Sequence, residues 1–191
     1  MNVKWESDNL LFLKKGDHLF TIAIFRYPLA PASIADLLQS LLPSLSATIY
    51  QRRAPLESAL HQTDCLTSIH YIFLEALHVN IPMTLIGDMP RELTHSGWQF
   101  HLIRKEELQP GDLIFLKKRT EPRLIDHVAV ALAVDRVFHC KKLEGALCQS
   151  LDDLFEVYEQ KILEKQLDYI DSRNQALRKI HGGCYMSHLS P

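Results

Sequence analysis

Cys65 is the residue best placed to act as a nucleophile. It opens the stretch Thr63-Asp64-Cys65-Leu66-Thr67-Ser68-Ile69-His70-Tyr71-Ile72-Phe73-Leu74-Glu75-Ala76-Leu77. Ile69, Ile72, Phe73, Ala76 and Leu77 recur at helical spacing, Thr63 or Asp64 can cap the open N–H groups, and Asn80-Ile81-Pro82 supplies a stop. The spacing therefore predicts a helix with Cys65 in its first turn, on the apolar face. The positive end of a helix favours thiolate over thiol, and beside an imidazole it can bring a cysteine from about 8.5 down to about 3.5–7.5. The same position also suits a small core residue, because free cysteine is among the most buried residue types. Partners elsewhere in the chain must decide between the two.

Two histidines are the candidates. Asp126 to Val134 alternates strictly, with Val128, Val130, Leu132 and Val134 on one side and His127, Ala129, Ala131 and Ala133 on the other. Alanines beside a histidine leave room for close packing, so the expectation is that the Cys65 helix lies on that face. Val137-Phe138-His139-Cys140 reads as the next strand. A three-residue connection Val134-Asp135-Arg136 would pair His139 with Ala131 and bring both histidines to one face, whereas a two-residue loop would separate them. The turn lacks glycine, which favours the longer loop.

A cysteine on a helix N-terminus facing a strand histidine, with a second histidine beside it, can attack a carbonyl. One imidazole relays the proton, the other orients it, and the Cys65 N–H is a natural oxyanion donor. Asp126, next to His127 on a strand, should point away from it, and Asp112 belongs to its own turn. Trp98 and Phe100 suit a substrate wall or, more simply, the core.

The elements that must position these groups follow from punctuation and periodicity. Leu10 to Lys14 and Leu19 to Phe25, around Gly16, suggest a hairpin; Ser33 caps a helix to about Leu42. Ala47 to Gln51 reads as a short strand and Pro82 to Trp98 as a long surface loop. Leu108-Gln109-Pro110-Gly111-Asp112 has the Pro and Gly order of a type II turn and launches the strand Leu113 to Leu116. Ser150 caps a helix from about Leu151 to Lys161, and Leu163 to Ile180 is helical in part, ended by Gly182-Gly183. His181, Cys184 and His188 read as a frayed terminus rather than a metal site. Residues 1–46 are expected to form an accessory segment, a hairpin plus helix or a divergent SH3-like remnant, and residues 47–191 the main domain.

A chain of 191 residues with a formal net charge of -2 can bury a core without staples. It carries no concentrated basic face, which argues against nucleic acid as a partner. Four irregularly spaced cysteines fit a reducing compartment. Met1 to Asn9 is polar, and no apolar run approaches the roughly 20 residues a membrane span needs. The expectation is a cytoplasmic location, with export by an unadvertised route as the alternative. No cofactor or metal is called for, because no CxxC or HExxH is present.

Asp64-Cys65 opening an apolar helix, Leu108-Gln109-Pro110-Gly111-Asp112-Leu113-Ile114-Phe115, His127-Val128-Ala129-Val130 and Phe138-His139, in this order and at these intervals, resemble the NlpC-type cell-wall cysteine peptidases. The resemblance implies a papain-like α+β fold, with the cysteine on the N-terminus of a helix packed against a central antiparallel sheet, plus an N-terminal extension. It implies Cys65 as nucleophile, His127 as base and His139 as the residue orienting it. It also implies a peptidoglycan peptide or muropeptide as partner, cut between D-glutamate and the diamino acid. Asp64 and Tyr50, the nearest match to the family's active-site tyrosine, are the substrate-binding candidates. Leu66-Thr67 replaces the usual Ser-Gly pair. The readings kept beside hydrolysis are acyl transfer or thioester chemistry with the same Cys–His pair, a catalytically silent binding module, and a metal site built from His127, His139, Cys140, His61 or Cys65. The silent module requires Cys65 and His127 to be out of hydrogen-bond reach.

Overall fold

A computed structural model describes residues 21–27, 34–120 and 125–160. The first strand of the N-terminal hairpin, the Ser33 cap, the segment beyond residue 160 and His181, Cys184 and His188 lie outside the described residues. The elements are β1 (Thr21–Arg26), α1 (Ile34–Leu45), β2 (Ile49–Tyr50), β3 (Gln62–Thr63), α2 (Cys65–Leu77), α3 (Met89–His95), β4 (Gln99–Arg104), β5 (Leu113–Lys118), β6 (His127–Ala133), β7 (Arg136–Lys141), β8 (Gly145–Ser150), α4 (Leu151–Val157) and β9 (Tyr158–Glu159). The main sheet runs β4-β1-β5-β6-β7-β8 with every pairing antiparallel, β9 adds to β5, and β2 pairs with β3 in parallel. This is an α+β fold.

The sheet is covered on both faces, and successive residues of each strand feed the two covers alternately. On one face Phe25, Leu113, Phe115, Val128, Val130, Phe138 and Cys140 pack with Ile69, Ile72 and Phe73 of α2 and with Leu38 of α1. On the other, Ile22, Ile24, Ile114, Leu116, Ala129, Ala131 and Val137 pack with Leu151, Leu154 and Tyr158. Each large side chain removed from water here contributes about 1.5–3 kcal/mol, so both layers hold the sheet.

The described part of the N-terminal segment joins the main sheet through β1. β1 pairs along its length with β4 and reaches β5 at Phe25–Leu113. Arg26 donates from Nε (2.7 Å) and Nη2 (2.6 Å) to the buried Asp112 carboxylate and from Nη2 to the Glu107 carbonyl (3.1 Å). That carboxylate also accepts the Gln109 N–H at 2.8 Å, so the expected Pro-Gly turn is closed by Asp112 and tied to β1. Gly111 there has φ +90°, a backbone conformation that favours glycine, and a Cβ on it would press the Cδ1 methyl of Ile34, 2.5 Å away, out of place.

The segment Pro82 to Trp98 is not all loop. Met89, Pro90 and Leu93 are buried and form one face of α3; Pro90 sits in the first turn, where its missing N–H costs nothing. Trp98 and Phe100 are buried, with Trp98 against Tyr27 and Phe73 and Phe100 against Phe25. Both are core rather than substrate wall. The last expected helix stops early, at Val157, and the chain turns into β9; Ser150 caps it as expected, accepting the Asp153 N–H at 3.0 Å.

Candidate active site

Asp64 positions the start of α2. Its Oδ1 accepts the N–H groups of Leu66 (3.0 Å) and Thr67 (2.8 Å), and its Oδ2 accepts the N–H of Arg53 at 2.6 Å. Arg53 holds φ 57°, in the left-handed region, and this bond helps to hold it there. Both carboxylate oxygens are thus committed to backbone, which makes Asp64 a structural cap and leaves little of it for a substrate. Thr67, buried, donates from Oγ1 to the Ala54 carbonyl at 2.8 Å, and Leu66 packs against the core. These contacts account for the Leu66-Thr67 pair in place of two small residues: the pair fastens α2 to the loop before it.

Cys65, the first residue of α2, is partly buried. Backbone N–H groups of Val128 and Leu66 reach its sulfur and favour the thiolate, but burial, followed by the Asp64 carboxylate, outweighs them and pushes the thiol up to about 12. Tyr50 lies nearby and half-buried; burial raises its hydroxyl, and the charges of Cys65 and Asp64 raise it further. Cys140 is the other close group, its Sγ–H directed at the Thr63 carbonyl at 3.6 Å.

The histidines are elsewhere. His127 Nε2 and His139 Nδ1 are 2.7 Å apart, so the expectation that the two share a face holds. The pairing is shifted by two residues from the expected one: Ala131 lies opposite Val137, and the connection tightens to the two residues Val134-Asp135 between Ala133 and Arg136, across an irregularity. The face is the opposite of the one expected for α2. Val128, Val130, Phe138 and Cys140 point at α2, so their neighbours His127 and His139 point away from it, towards Ala129, Ala131, Val137 and Tyr158. The physical reason is volume. A helix seated on a sheet needs bulky side chains beneath it, and the valines supply them, while the alanine side leaves space for the Tyr158 ring, which stacks on His127 at 4.7 Å and 13°.

Sequence reasoning missed two members of this buried network, Tyr158 and Gln149. The Gln149 side chain lies beside His139 and acts to raise its pKa, yet burial wins and lowers His139 to about 4. The Gln149 amide nitrogen and His139 Nε2 are both buried without a hydrogen-bond partner. Burial, followed by the charges of His139, Lys118 and Lys141, holds His127 well below the usual histidine range. The only local signal for Gln149 is its place in β8, where Val137 pairs with it and His139 with Leu147.

Cys140 and His139, adjacent on β7, face opposite sides, so they cannot share an ion. Among the described residues no group of three or more His, Cys, Asp or Glu side chains could hold a metal. No helix of the described residues is long and apolar enough to cross a membrane.

The described architecture, a cysteine-headed helix on a central antiparallel sheet, is the class of scaffold used by papain-like hydrolases. The NlpC/P60 family model matches residues 51–165, and the chain belongs to the NlpC/P60 family, whose members are in general cell-wall cysteine peptidases or amidases. A solved structure from Staphylococcus aureus subsp. aureus Mu50, described as similar to a lipoprotein of the NLP/P60 family, is similar to the chain at 18% identity with a TM-score of 0.48. The similarity covers 70% of this chain and 43% of that one, so the chain spans less than half of that protein's length. No curated protein matches the chain.

Proposed function

We propose that the chain hydrolyses peptidoglycan stem peptides, cutting between D-glutamate and the diamino acid, with Cys65 as the attacking group. Membership of the family, together with Cys65 as the first residue of a capped helix, carries this reading. Tyr50 beside the sulfur would line the substrate, and the Cys65 N–H would meet the oxyanion. For His127 to serve as base and His139 as its orienting partner, β6 must present its other parity to α2, a slip of one residue.

A second reading, a silent module that keeps the fold and binds the same peptides, is favoured by a specific observation: the separation of Cys65 from both imidazoles by the sheet. One experiment divides the two. The chain and its Cys65→Ala variant are incubated with purified peptidoglycan and with soluble stem tripeptide, and products are identified by mass spectrometry. Cleavage by the unsubstituted chain alone supports hydrolysis. No cleavage by either, with retention of the tripeptide by both in equilibrium dialysis, supports the silent module.

A further inference from the structure

Three observations converge on the two thiols of the α2 face. The Cys140 sulfur lies 3.6 Å from the carbonyl oxygen of Thr63, two residues before Cys65. The Cys65 sulfur accepts the Val128 N–H. Val128 and Cys140 stand on the neighbouring strands β6 and β7, which pair at Val130–Phe138, and both side chains face α2. Cys65 is therefore seated over the β6–β7 strand pair on the face that carries Cys140, and it packs against the same cluster as Cys140.

We infer that Cys65 and Cys140 close into an intramolecular disulfide when the protein meets a low-molecular-weight disulfide oxidant. The sequence of steps follows from access. Cys65 is partly exposed and Cys140 is buried, so the Cys65 thiolate attacks the small disulfide first, forming a mixed disulfide and expelling one small thiolate. Cys140 then loses its proton to solvent and attacks the Cys65 sulfur, expelling the second small thiolate. Two protein thiols are oxidised and one small disulfide is reduced to two thiols. The product blocks Cys65 whatever reaction that residue performs, so the inference goes beyond the hydrolase reading and does not depend on it.

Burial raises both thiols to about 12, which makes the closure slow and strongly pH-dependent: the rate should climb close to tenfold per pH unit between neutrality and pH 9, because the thiolate fraction does. The test incubates the full chain with oxidised glutathione at pH 7, 8 and 9, quenches in acid, and maps linkages by mass spectrometry after proteolysis. The expected result is loss of two hydrogens and a Cys65–Cys140 linked peptide, reversed by dithiothreitol, with Cys140→Ala accumulating the Cys65–glutathione adduct instead. A glutathione adduct that persists on Cys65 in the unsubstituted chain would overturn the inference. So would linkage through Cys148 or Cys184, or no reaction at Cys65 at any of these pH values.

Discussion

The two faces of the sheet are built from the same strands and hold different chemistry. On the α2 face a thiol sits at a helix N-terminus, with Tyr50 and Cys140 as close neighbours. On the α4 face two imidazoles, an amide and a phenol ring form a buried chain. The comparison teaches that order and spacing of motif blocks along a sequence do not fix side-chain direction. A single step of strand parity decides whether Cys65 and His127 are partners or strangers.

The comparison can be stressed most strongly through packing. Phe138→Ala, beneath α2, should cost about 3–5 kcal/mol, and Leu154→Ala, on the other face, about 2–5 kcal/mol. Chemical denaturation of each variant measures both; a negligible loss for either would mean that its face is not a packed core.

Acid should act through the histidine face. His139 is depressed to about 4 from an unfolded value near about 6.5, so folding favours its neutral form. The unfolded chain binds more protons between those values, and stability falls as pH drops through them, by up to about 3 kcal/mol. Above about pH 6.5 the full contribution is present. Denaturation midpoints from pH 7 to pH 4 check the sign; His127 is also held well below the usual range and acts in the same direction, so His139→Gln should lessen the dependence and leave part of it.

Asp64→Ala removes the cap of α2 and the Arg53 contact, with an expected loss of about 1–2 kcal/mol. Because the carboxylate also raises Cys65, the same variant should alkylate faster at fixed pH. At the small end, the exposed Lys105–Asp152 pair at 2.8 Å links the turn after β4 to α4, and Asp152→Asn should change stability by less than about 1 kcal/mol.

Much of this arrangement is legible in the sequence. The helix of Cys65, its Asp64 cap, the Pro-Gly turn before β5 and the β6–β7 hairpin all carry local signals: a short polar side chain before an apolar run, glycine where φ is positive, strict alternation. The shared face of His127 and His139 does not come from the expected three-residue connection: the turn has two residues, and the irregularity between Ala131 and Ala133 restores the parity, which no local signal announces. Which cover each face meets is not local. The alanines beside His127 could have made room for α2, and only the volume demanded by Ile69, Ile72 and Phe73 assigns the valines to that side. β1 as a central strand, α3 within an apparent loop and Gln149 against His139 likewise depend on contacts between distant segments.

The most direct test of the separation is the pH profile of Cys65 alkylation by iodoacetamide, read by mass spectrometry in the unsubstituted chain and in His127→Ala. Separation predicts slow labelling at neutral pH, a rate rising towards an inflection at about 12, and the same profile in both proteins. Fast labelling with an inflection below about 7.5, the range of an imidazole-paired cysteine, lost on removal of His127, would contradict it and put thiol and imidazole on one face.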